Sequence, residues 1–362
     1  MSFPSSSASE GMGWGGGHWE GDWELSAEDQ GADWSPMVSI VIPVLNEERY
    51  LARCLRSVVD QHYPTDRLEV MVVDGMSTDR SREIVAQLSA THPHIRLMDN
   101  PRGIIPTAMN IGIRNAQGEV ILRVDGHCFL APDYVRQCLN YLHQTGADNV
   151  GGPAWAVGEG YIGEAIALAL GSPFGHGGSA FRHSQEEGEV DTVFLGAFRR
   201  ELFDRVGLYD EGLLCAEDYE LNHRIRAAGG RVLLTPRIRV QYITRNSLIG
   251  FCRQYFRYGF WRMQAVRRHP CALRLRHLGT AAFVAALIAS GIAGLFSSSF
   301  ALLFWAVVSS YVAASLLFSL LLARQRGWRY FPILPVVFAC LHLSWGVGFL
   351  WSLRSTILFP DV

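Results

Sequence analysis

The chain of 362 residues contains no lysine, and all 32 of its basic side chains are arginine. A GC-rich coding bias explains this absence, although arginine also favours contacts with phosphate. Its seven cysteines form no C-x-x-C pair and no zinc-like spacing, which excludes a disulfide scaffold and indicates a reducing, cytosolic environment. The formal charge of −2 disfavours a nucleic-acid partner.

Several common motifs are also missing. No G-x-G-x-x-G follows the first apolar run and no G-x-x-x-x-G-K-[ST] occurs, so neither a dinucleotide fold nor a P-loop is supported. The N-terminus has no basic segment followed by an apolar one, and we therefore expect no export of the globular part.

What is present divides into segments of different chemistry. Residues 1–36 hold seven acids, seven glycines and no arginine, which predicts a disordered acidic tail. Residues 37–236 have the composition of a globular domain. Residues 237–277, here called the basic collar, hold ten arginines and no acid, interleaved with aromatic residues. This pattern predicts interfacial helices that contact membrane lipids.

Three apolar stretches follow the collar, at about 278–296, 300–323 and 331–353, and a tail at 354–362 ends the chain. Each stretch is near the ~20 residues needed to span a bilayer, so three transmembrane helices are predicted. Arginines at 267–276 and 324–329 place those segments inside by the positive-inside rule, with the C-terminus outside. A non-catalytic membrane scaffold is the rival class, but the stretches carry no charged residue that marks an ion path.

Strands alternate with helices in residues 37–236. Apolar runs at 38–44, 68–73, 95–98 and 120–124 are separated by helical patterns, which predicts an α/β domain with a mostly parallel sheet. Ligands bind beyond the carboxyl ends of such strands. The polar residues that follow the runs there are Asn46, Glu47, Asp74, Asp125 and His127.

The ordered motifs V-S-I-V-I-P-V-L-N-E-E (38–48), V-V-D-G-M-S-T-D-R-S (72–81), A-M-N-I-G (108–112), G-E-V-I-L-R-V-D-G-H (118–127) and A-E-D-Y-E-L (216–221) resemble the family 2 glycosyltransferases of GT-A fold. Residues 172–182 and 191–203 are similar to the succinoglycan-biosynthesis subgroup. The resemblance implies that Pro43, Asn46 and Glu47 line a nucleotide pocket, that Asp74 contacts the base, and that Asp125 begins a metal motif.

The metal motif departs from the family pattern, because D-x-D would place a carboxylate where this chain has His127. The resemblance implies a divalent cation bound by Asp125 and His127. Imidazole suits Mn²⁺ better than Mg²⁺, so the metal's identity stays open. His127 as an ordinary loop residue is the alternative.

The acids Glu217 and Asp218 precede an apparent helix at 219–228. By the resemblance, Asp218 is the general base, with Glu217 beside it. Acids are also favoured at a helix N-terminus by the macrodipole, which is the structural alternative. Glu220 and Arg224, four residues apart, are interpreted as a surface ion pair.

Gln254 and Arg257 form Q-x-x-R, followed by Tyr258 where processive synthases have Trp. Both side chains could reach the diphosphate or the acceptor. The segment 171–181, rich in glycine, is either a mobile acceptor lid or a connector.

We therefore expect a membrane-anchored, inverting glycosyltransferase. It takes a nucleotide-diphosphate sugar, UDP-linked by the resemblance, and a lipid-linked saccharide acceptor in exopolysaccharide synthesis. The catalytic domain is expected on the cytoplasmic side of the inner membrane. Transfer to polyprenyl phosphate and processive synthesis are the alternatives, and the oligomeric state stays open.

Overall fold

A computed structural model describes residues 34–177 and 186–358. The strands are β1 (Val38–Val44), β2 (Leu68–Asp74), β3 (Ile95–Asp99), β4 (Val120–Arg123), β5 (Cys128–Leu130), β6 (Asn149–Gly152), β7 (Ala154–Val157), β8 (Gly188–Glu189), β9 (Phe194–Arg199), β10 (Val232–Leu234) and β11 (Val240–Ile243). The helices are α1 (Leu51–Val59), α2 (Ser81–Ser89), α3 (Ile105–Asn115), α4 (Tyr134–Thr145), α5 (Gly160–Leu170), α6 (Pro173–His176), α7 (Leu202–Val206), α8 (Glu217–Ala227), α9 (Leu248–Arg268), α10 (Leu275–Gly294), α11 (Ser298–Arg326) and α12 (Leu334–Leu358).

Eight strands form the main sheet, in the order β3-β2-β1-β4-β9-β6-β10-β8. The first four are parallel to one another, and β9 and β8 pair antiparallel with their neighbours. A smaller sheet of β5, β11 and β7 lies beside it. The mostly parallel α/β sheet predicted from the sequence is confirmed.

Helices cover both faces of the sheet because β1 is apolar on both sides. Ile40 and Ile42 pack into a core that contains α1 and α4, whereas Val41 between them packs into a core with α3 and α8. This alternation follows from the two-residue period of a strand. It explains why the central strand is a continuous apolar run.

Three C-terminal helices have the length and apolar composition of membrane spans, within 277–294, 298–326 and 334–354. They correspond to the three predicted stretches. Glycines and serines allow close packing among them, and an exposed apolar surface covers most of α10 and α11.

Three details differ from expectation. The basic collar begins with strand β11 rather than a helix, because the β-branched Val240 and Ile243 pair with β7 in parallel register. Helix α8 begins at Glu217, so both acids lie in its first turn and not in the preceding loop. Helix α12 continues through Leu358 into the expected tail, since no proline or glycine stops it. Residues 1–33 of the expected acidic tail lie outside the described residues.

Candidate active site

The loops that follow β1 and β2 are joined by hydrogen bonds. The Asn46 side-chain oxygen accepts from the amide of Thr78 at 2.8 Å, and the Asn46 amide donates to Ser77 Oγ at 2.9 Å. The Glu47 amide donates to Ser81 Oγ at 2.9 Å. These bonds fix Asn46 and Glu47 at the carboxyl edge of the sheet.

Pro43 and Asp74 lie at the ends of these two strands. Pro43 is buried and paired in register with Val73, next to the pair of Val44 and Asp74. The carboxylate of Asp74 accepts from Arg82 at 2.8 Å. Its other oxygen, Oδ1, is buried without a hydrogen-bond partner among the described residues. An unpaired buried acceptor is costly, so Asp74 Oδ1 is free to take a donor group from a ligand.

Arg123 joins the two acidic parts of the site. Its guanidinium donates to Asp125 Oδ1 at 2.9 Å through Nε and to Glu217 Oε1 at 2.8 Å through Nη1. The Arg123 and Glu217 side chains are only 7% and 5% exposed. One cation therefore brings the end of β4 and the start of α8 together.

Burial and charge act against each other in this cluster. Burial lowers the pKa of Arg123, but the charges of Asp125, Glu217 and Asp218 raise it well above its ordinary value. Burial also raises the pKa of Asp125, but the charge and hydrogen bonds of Arg123 outweigh it, and the net pKa is lowered. The pKa of Glu217 is raised, because burial outweighs the opposing charge of Arg123.

His127 contacts the first loop. Its Nδ1 lies 3.0 Å from Glu47 Oε1. Burial lowers the pKa of His127, but the hydrogen bond and charge of Glu47 and the charge of Asp125 raise it overall. Within the described ranges no hydrogen bond occupies Nε2, so this nitrogen remains available as a ligand.

These residues fit a divalent cation only in part. No three His, Cys, Asp or Glu side chains of residues 34–177 and 186–358 form a group able to hold a metal ion. Asp125 and His127 offer one carboxylate and one imidazole nitrogen. Mg²⁺ and Mn²⁺ need about six ligands, so the set fits a cation whose remaining ligands are phosphate oxygens and water.

Asp218 lies beside the cluster in the first turn of α8. It is partly exposed, and its Oδ1 accepts from the amide of Tyr219 at 2.7 Å. Ala216 immediately before the helix has a φ of 65°, a left-handed conformation that costs about 1–2 kcal/mol for a residue other than glycine. Strain of this kind clusters at functional sites. The chain turns sharply here, and the first turn of α8 points at Arg123.

Arg257 lies on α9 and its side chain is exposed. Burial raises the pKa of the Cys215 thiol to about 12, and the charges of Glu217 and Asp218 add to the rise. The charges of Arg257 and Arg262 lower it in part.

Gln254, by contrast, makes no hydrogen bond to an acidic residue of the candidate site within the described residues. Its Nε2 donates to Tyr258 OH at 2.9 Å. The two side chains are one helical turn apart on α9.

Glu220 and Arg224 do not form the expected surface pair. The Glu220 side chain is 2% exposed, and Arg224 binds both of its oxygens, at 2.7 and 2.9 Å. His269 Nε2 lies 2.8 Å from Glu220 Oε1. Arg224 also donates to the carbonyl of Leu208 at 2.8 Å. The prediction was wrong because helical spacing shows which side chains meet but not what covers them.

Of the segment predicted as a lid or connector, the part up to Gly177 is described. Helix α6 packs on the apolar helices, with the Phe174 ring stacked on Phe318 at 5.0 Å. His342 Nε2 lies 2.9 Å from the Phe174 carbonyl oxygen. The rest of the segment lies outside the described residues.

Arg123 lies at the centre of the candidate site, but the sequence patterns above do not single it out. The available signal was a charge directly after the apolar run Val120–Leu122, where a buried charge requires a partner. It also lies two residues before Asp125, on the same face of an extended chain.

Known proteins match this chain along most of its length. The profile described as Glycosyl transferase family 2 matches residues 39–207. The succinoglycan biosynthesis protein ExoA of Rhizobium meliloti is 30% identical over 86% of this chain and 93% of its own length. A second relative, from Methanococcus voltae, is 26% identical over 85% of this chain and 95% of its own length. Its name is dolichyl N-acetyl-alpha-D-glucosaminyl phosphate 3-beta-D-2,3-diacetamido-2,3-dideoxy-beta-D-glucuronosyltransferase. Among solved structures, the mannosyltransferase PcManGT of Pyrobaculum calidifontis, in complex with GDP-Man and Mn²⁺, superposes with a TM-score of 0.58 at 21% identity, covering 88% of each chain.

Proposed function

Because the chain belongs to glycosyl transferase family 2 and is a membrane-anchored glycosyltransferase of GT-A fold, we propose that it transfers a sugar, with inversion, from a nucleotide-diphosphate sugar to a lipid-linked saccharide. The observation that supports this most directly is the shared guanidinium of Arg123, which holds Asp125 next to Glu217. Asp125, which we assign to the donor diphosphate, thereby lies close to the first turn of α8, which carries Asp218, the residue we assign to the acceptor hydroxyl.

The transfer is a single displacement. A carboxylate oxygen of Asp218 takes the proton of the acceptor hydroxyl, whose oxygen forms a bond to the anomeric carbon of the donor sugar. The bond from that carbon to the diphosphate oxygen breaks, and the nucleoside diphosphate leaves with the bonding electron pair. Asp218 is suited to this because it is partly exposed, whereas Glu217 is buried against Arg123 and serves to position the start of α8.

The nucleotide is held by the loops at the ends of β1 and β2. Asp74 Oδ1, which is buried and has no hydrogen-bond partner in the part of the chain that the structure describes, accepts an N–H of the base. Both uracil and guanine offer such a group, and the resemblance favours a UDP-sugar. Pro43, Asn46 and Glu47 form the wall of the pocket beside it.

Asp125 and His127 would hold a divalent cation, Mn²⁺ or Mg²⁺, which neutralises the diphosphate leaving group. Of the two, Asp125 must share its carboxylate with Arg123. His127 is oriented by its hydrogen bond to Glu47.

Substitution of His127 tests its role as a ligand. His127→Asp restores a hard oxygen ligand and should move the preference from Mn²⁺ towards Mg²⁺, while His127→Ala should weaken Mn²⁺ activation about tenfold or more. Transfer rates in titrations with each metal measure both effects. An unchanged metal profile in both variants would make His127 a loop residue.

The acceptor approaches from the membrane side. Arg257 is exposed on α9 and Gln254 lies three residues earlier on the same helix, so we assign both to contacts with an acceptor phosphate or saccharide. The names of the two curated relatives support a lipid-linked acceptor and exopolysaccharide synthesis. With the arginines on the inner side, the catalytic domain faces the cytoplasm at the inner membrane.

The experiment incubates membranes that contain the chain with a panel of radiolabelled UDP- and GDP-sugars, with and without Mn²⁺. We expect one label to enter the organic-extractable lipid fraction as a discrete product. Membranes with the Asp218→Asn variant, at equal protein level, are the matched control. Label in high-molecular-weight polymer would identify a processive synthase instead, and no Asp218-dependent label from any donor would refute the proposal.

A further inference from the structure

Several carboxylates surround the turn that joins β4 to β5. They belong to Glu47, Asp125, Glu217 and Asp218. Arg123 lies among them, but its guanidinium already binds both Asp125 and Glu217. The diphosphate of a donor would add further negative charge at the same place, and like charges repel one another. The site therefore needs a cation besides Arg123.

A metal ion held by Asp125 and His127 would supply part of this positive charge. Its protein ligands would be few, and Asp125 also pairs with Arg123. A guanidinium group binds phosphate through two parallel N–H donors and needs no metal to do so. An arginine beside this turn would therefore complete the charge that a diphosphate requires.

Strand β11 brings an arginine to the turn. Tyr242 of β11 pairs with Cys128 of β5, and the amide of the next residue, Ile243, donates to the carbonyl of His127 at 3.2 Å. Arg245 follows two residues later, and two residues of chain span at most about 7 Å. The backbone of Arg245 therefore lies beside the turn.

Hydrogen bonds hold the chain on both sides of Arg245. The amide of Thr244 donates to the carbonyl of Val157 at 2.9 Å, which continues the pairing with β7 beyond the end of β11. On the other side, Ser247 Oγ accepts from the amide of Gly250 at 3.2 Å and caps α9. The Arg245 side chain thus extends from a fixed segment of backbone.

The alternation of side chains places Arg245 on the side of the chain that faces β1 and β4. Thr244 Oγ1 donates to the carbonyl of Gly163 at 3.2 Å, so the Thr244 side chain points towards α5. Successive side chains of an extended chain point to opposite sides, so Arg245 shares the side of Ile243. Ile243 packs in the core cluster that lies beneath the ends of β1 and β4. The polar loops of the candidate site begin at those same strand ends.

Arg245 has no counter-ion of its own within residues 34–177 and 186–358. Its side chain is exposed, and none of the ion pairs and hydrogen bonds in these ranges involves its guanidinium. Its charge nevertheless acts on the site. Burial and, to a smaller extent, the charge of Arg245 lower the pKa of His127, although neighbouring carboxylates raise it overall. The guanidinium is therefore available to an anionic ligand.

The order of the strands indicates which phosphate Arg245 would meet. In the proposed function the base lies at Asp74, at the end of β2, and the metal at the turn after β4. In the sheet β4 lies two strands from β2, with β1 between them. A nucleotide that extends from β2 to β4 directs its terminal phosphate towards this turn and the end of β11 beside it. The phosphate bonded to the sugar is therefore the nearer one to Arg245.

We propose that Arg245 binds the β-phosphate of the nucleotide-diphosphate sugar and stabilises the nucleoside diphosphate as it leaves. The proposal rests on the proposed function. When the bond between the anomeric carbon and the diphosphate oxygen breaks, the electron pair stays on that oxygen. The guanidinium donates N–H bonds to the β-phosphate oxygens and gives up no proton, while the acceptor proton goes to Asp218. Arg245 thereby favours a diphosphate over a monophosphate.

Isothermal titration calorimetry of the full chain in detergent, with Mn²⁺ present, tests this contact. The probes are UDP and GDP and the corresponding monophosphates, UMP and GMP. Arg245→Gln should weaken binding of the diphosphate that the native chain binds by about tenfold or more, because hydrogen bonds from a charged donor are lost, and should leave the affinity for its monophosphate within about twofold. Arg237→Gln is the matched control, because Arg237 is an exposed arginine just before the opposite end of β11, and it should change neither affinity.

The thermal transition of Arg245→Gln should equal that of the native chain, since Arg245 is exposed. A loss of affinity confined to the diphosphate supports the proposal. An unchanged affinity for the diphosphate, or an equal loss for both nucleotides, would overturn the role of Arg245 and leave the proposed function intact. A native chain that binds neither UDP nor GDP would refute the proposed function as well, so the two failures are distinguishable.

Discussion

Arg123 decides the charge balance of the candidate site, since it is one buried cation between two carboxylates. Its partners come from the segment just after β4 and from α8, which are far apart in the sequence but meet at this side chain. A buried ion pair costs desolvation on both sides, and removing one partner leaves an uncompensated charge. Loss of Arg123 should therefore destabilise the fold more than loss of an arginine from an exposed ion pair.

Arg123→Gln is expected to destabilise the chain by about 3–5 kcal/mol, because the buried Glu217 and the partly buried Asp125 lose their cation. Chemical unfolding in detergent measures the loss. Adding Glu217→Gln should recover part of it, since only one carboxylate then remains. The matched control is Arg80→Gln, which removes an exposed pair with Glu83 and should leave unfolding unchanged. Equal unfolding of Arg123→Gln and Arg80→Gln would show that the buried pairs do not stabilise the site.

Asp218→Asn is expected to lower turnover about 10²-fold or more while donor binding stays nearly intact, the effect of removing a general base. Initial rates and equilibrium binding of the nucleotide sugar separate the two quantities. Glu217→Gln is the comparison, because that side chain is buried and its loss should disturb stability as well as rate. Near-normal turnover in Asp218→Asn would remove Asp218 from the chemistry.

At the scale of residues, the sequence predicts which side chains follow a strand end. It does not predict which side chains from distant parts of the chain contact them. Asn46, Glu47, Asp74 and Asp125 were placed together because the carboxyl ends of parallel strands share one edge. The role of Arg123 depends on Glu217, 94 positions away, and no local period links the two.

Among the elements, the contact between α9 and α12 is a close backbone contact between the catalytic domain and the apolar helices. It depends on glycines, since Gly259 meets the carbonyl of Trp345 and Gly348 meets the carbonyl of Phe256. Backbone approach of this kind leaves no volume for a side chain.

Gly259→Leu is expected to separate the two helices and destabilise the chain, because its side chain has no space that a rotamer change could provide. Overpacking costs about 1–3 kcal/mol or more, measured as a lower thermal transition in detergent. Gly279→Leu on α10 is the matched control, since a Cβ there meets nothing within 4 Å. A lowering of equal size in both variants would contradict the close packing.

The sequence predicts the ends of helices and strands well where the hydrophobic periodicity is strong. It predicts them poorly where a residue distant in the sequence determines whether a segment forms a strand or a helix. The strands β1, β2 and β4 follow their apolar runs. Strand β11 was missed because its pairing with β7 involves residues more than eighty positions earlier. The sequence pattern starts α8 two residues too late, because consecutive acids are typical of a loop. In the structure Glu217 is buried against Arg123, and the helix begins there.

For the whole molecule, the hairpin of α10 and α11 anchors the chain. Contacts along it align Phe283 with Tyr311 and Gly294 with Ala301, so the start of α10 lies level with about residue 318 of α11. The middle of the crossing part of α11 is then near Ser309, and Leu321 lies beyond its inner end.

Ser309→Arg should weaken membrane insertion by about 2.5–3.5 kcal/mol, the cost of arginine at the centre of a span. The fraction of chain resistant to alkaline extraction measures it. Leu321→Arg, also at an exposed position on the same helix, is expected to insert normally because its guanidinium reaches the interface. Normal insertion of both variants would show that Ser309 is not at the centre of a span.

Hydropathy predicts three apolar helices of membrane-spanning length, and the structure has them at the C-terminus. It does not predict how much of each is buried. In the apolar window of α12, 44% of the residues are buried, against 22% for α10, because α12 packs closely against α9. That packing depends on tertiary contacts, which composition does not contain.

The contact at Gly259 links the last apolar helix to the candidate site through packed backbone. Because α9 and α12 touch there without an intervening side chain, a shift of α12 must move α9 with it. Helix α9 ends beside α8, where His269 lies 2.8 Å from Glu220, and α8 carries Asp218 in its first turn. A displacement of the apolar helix is thereby transmitted to the turn that carries Asp218.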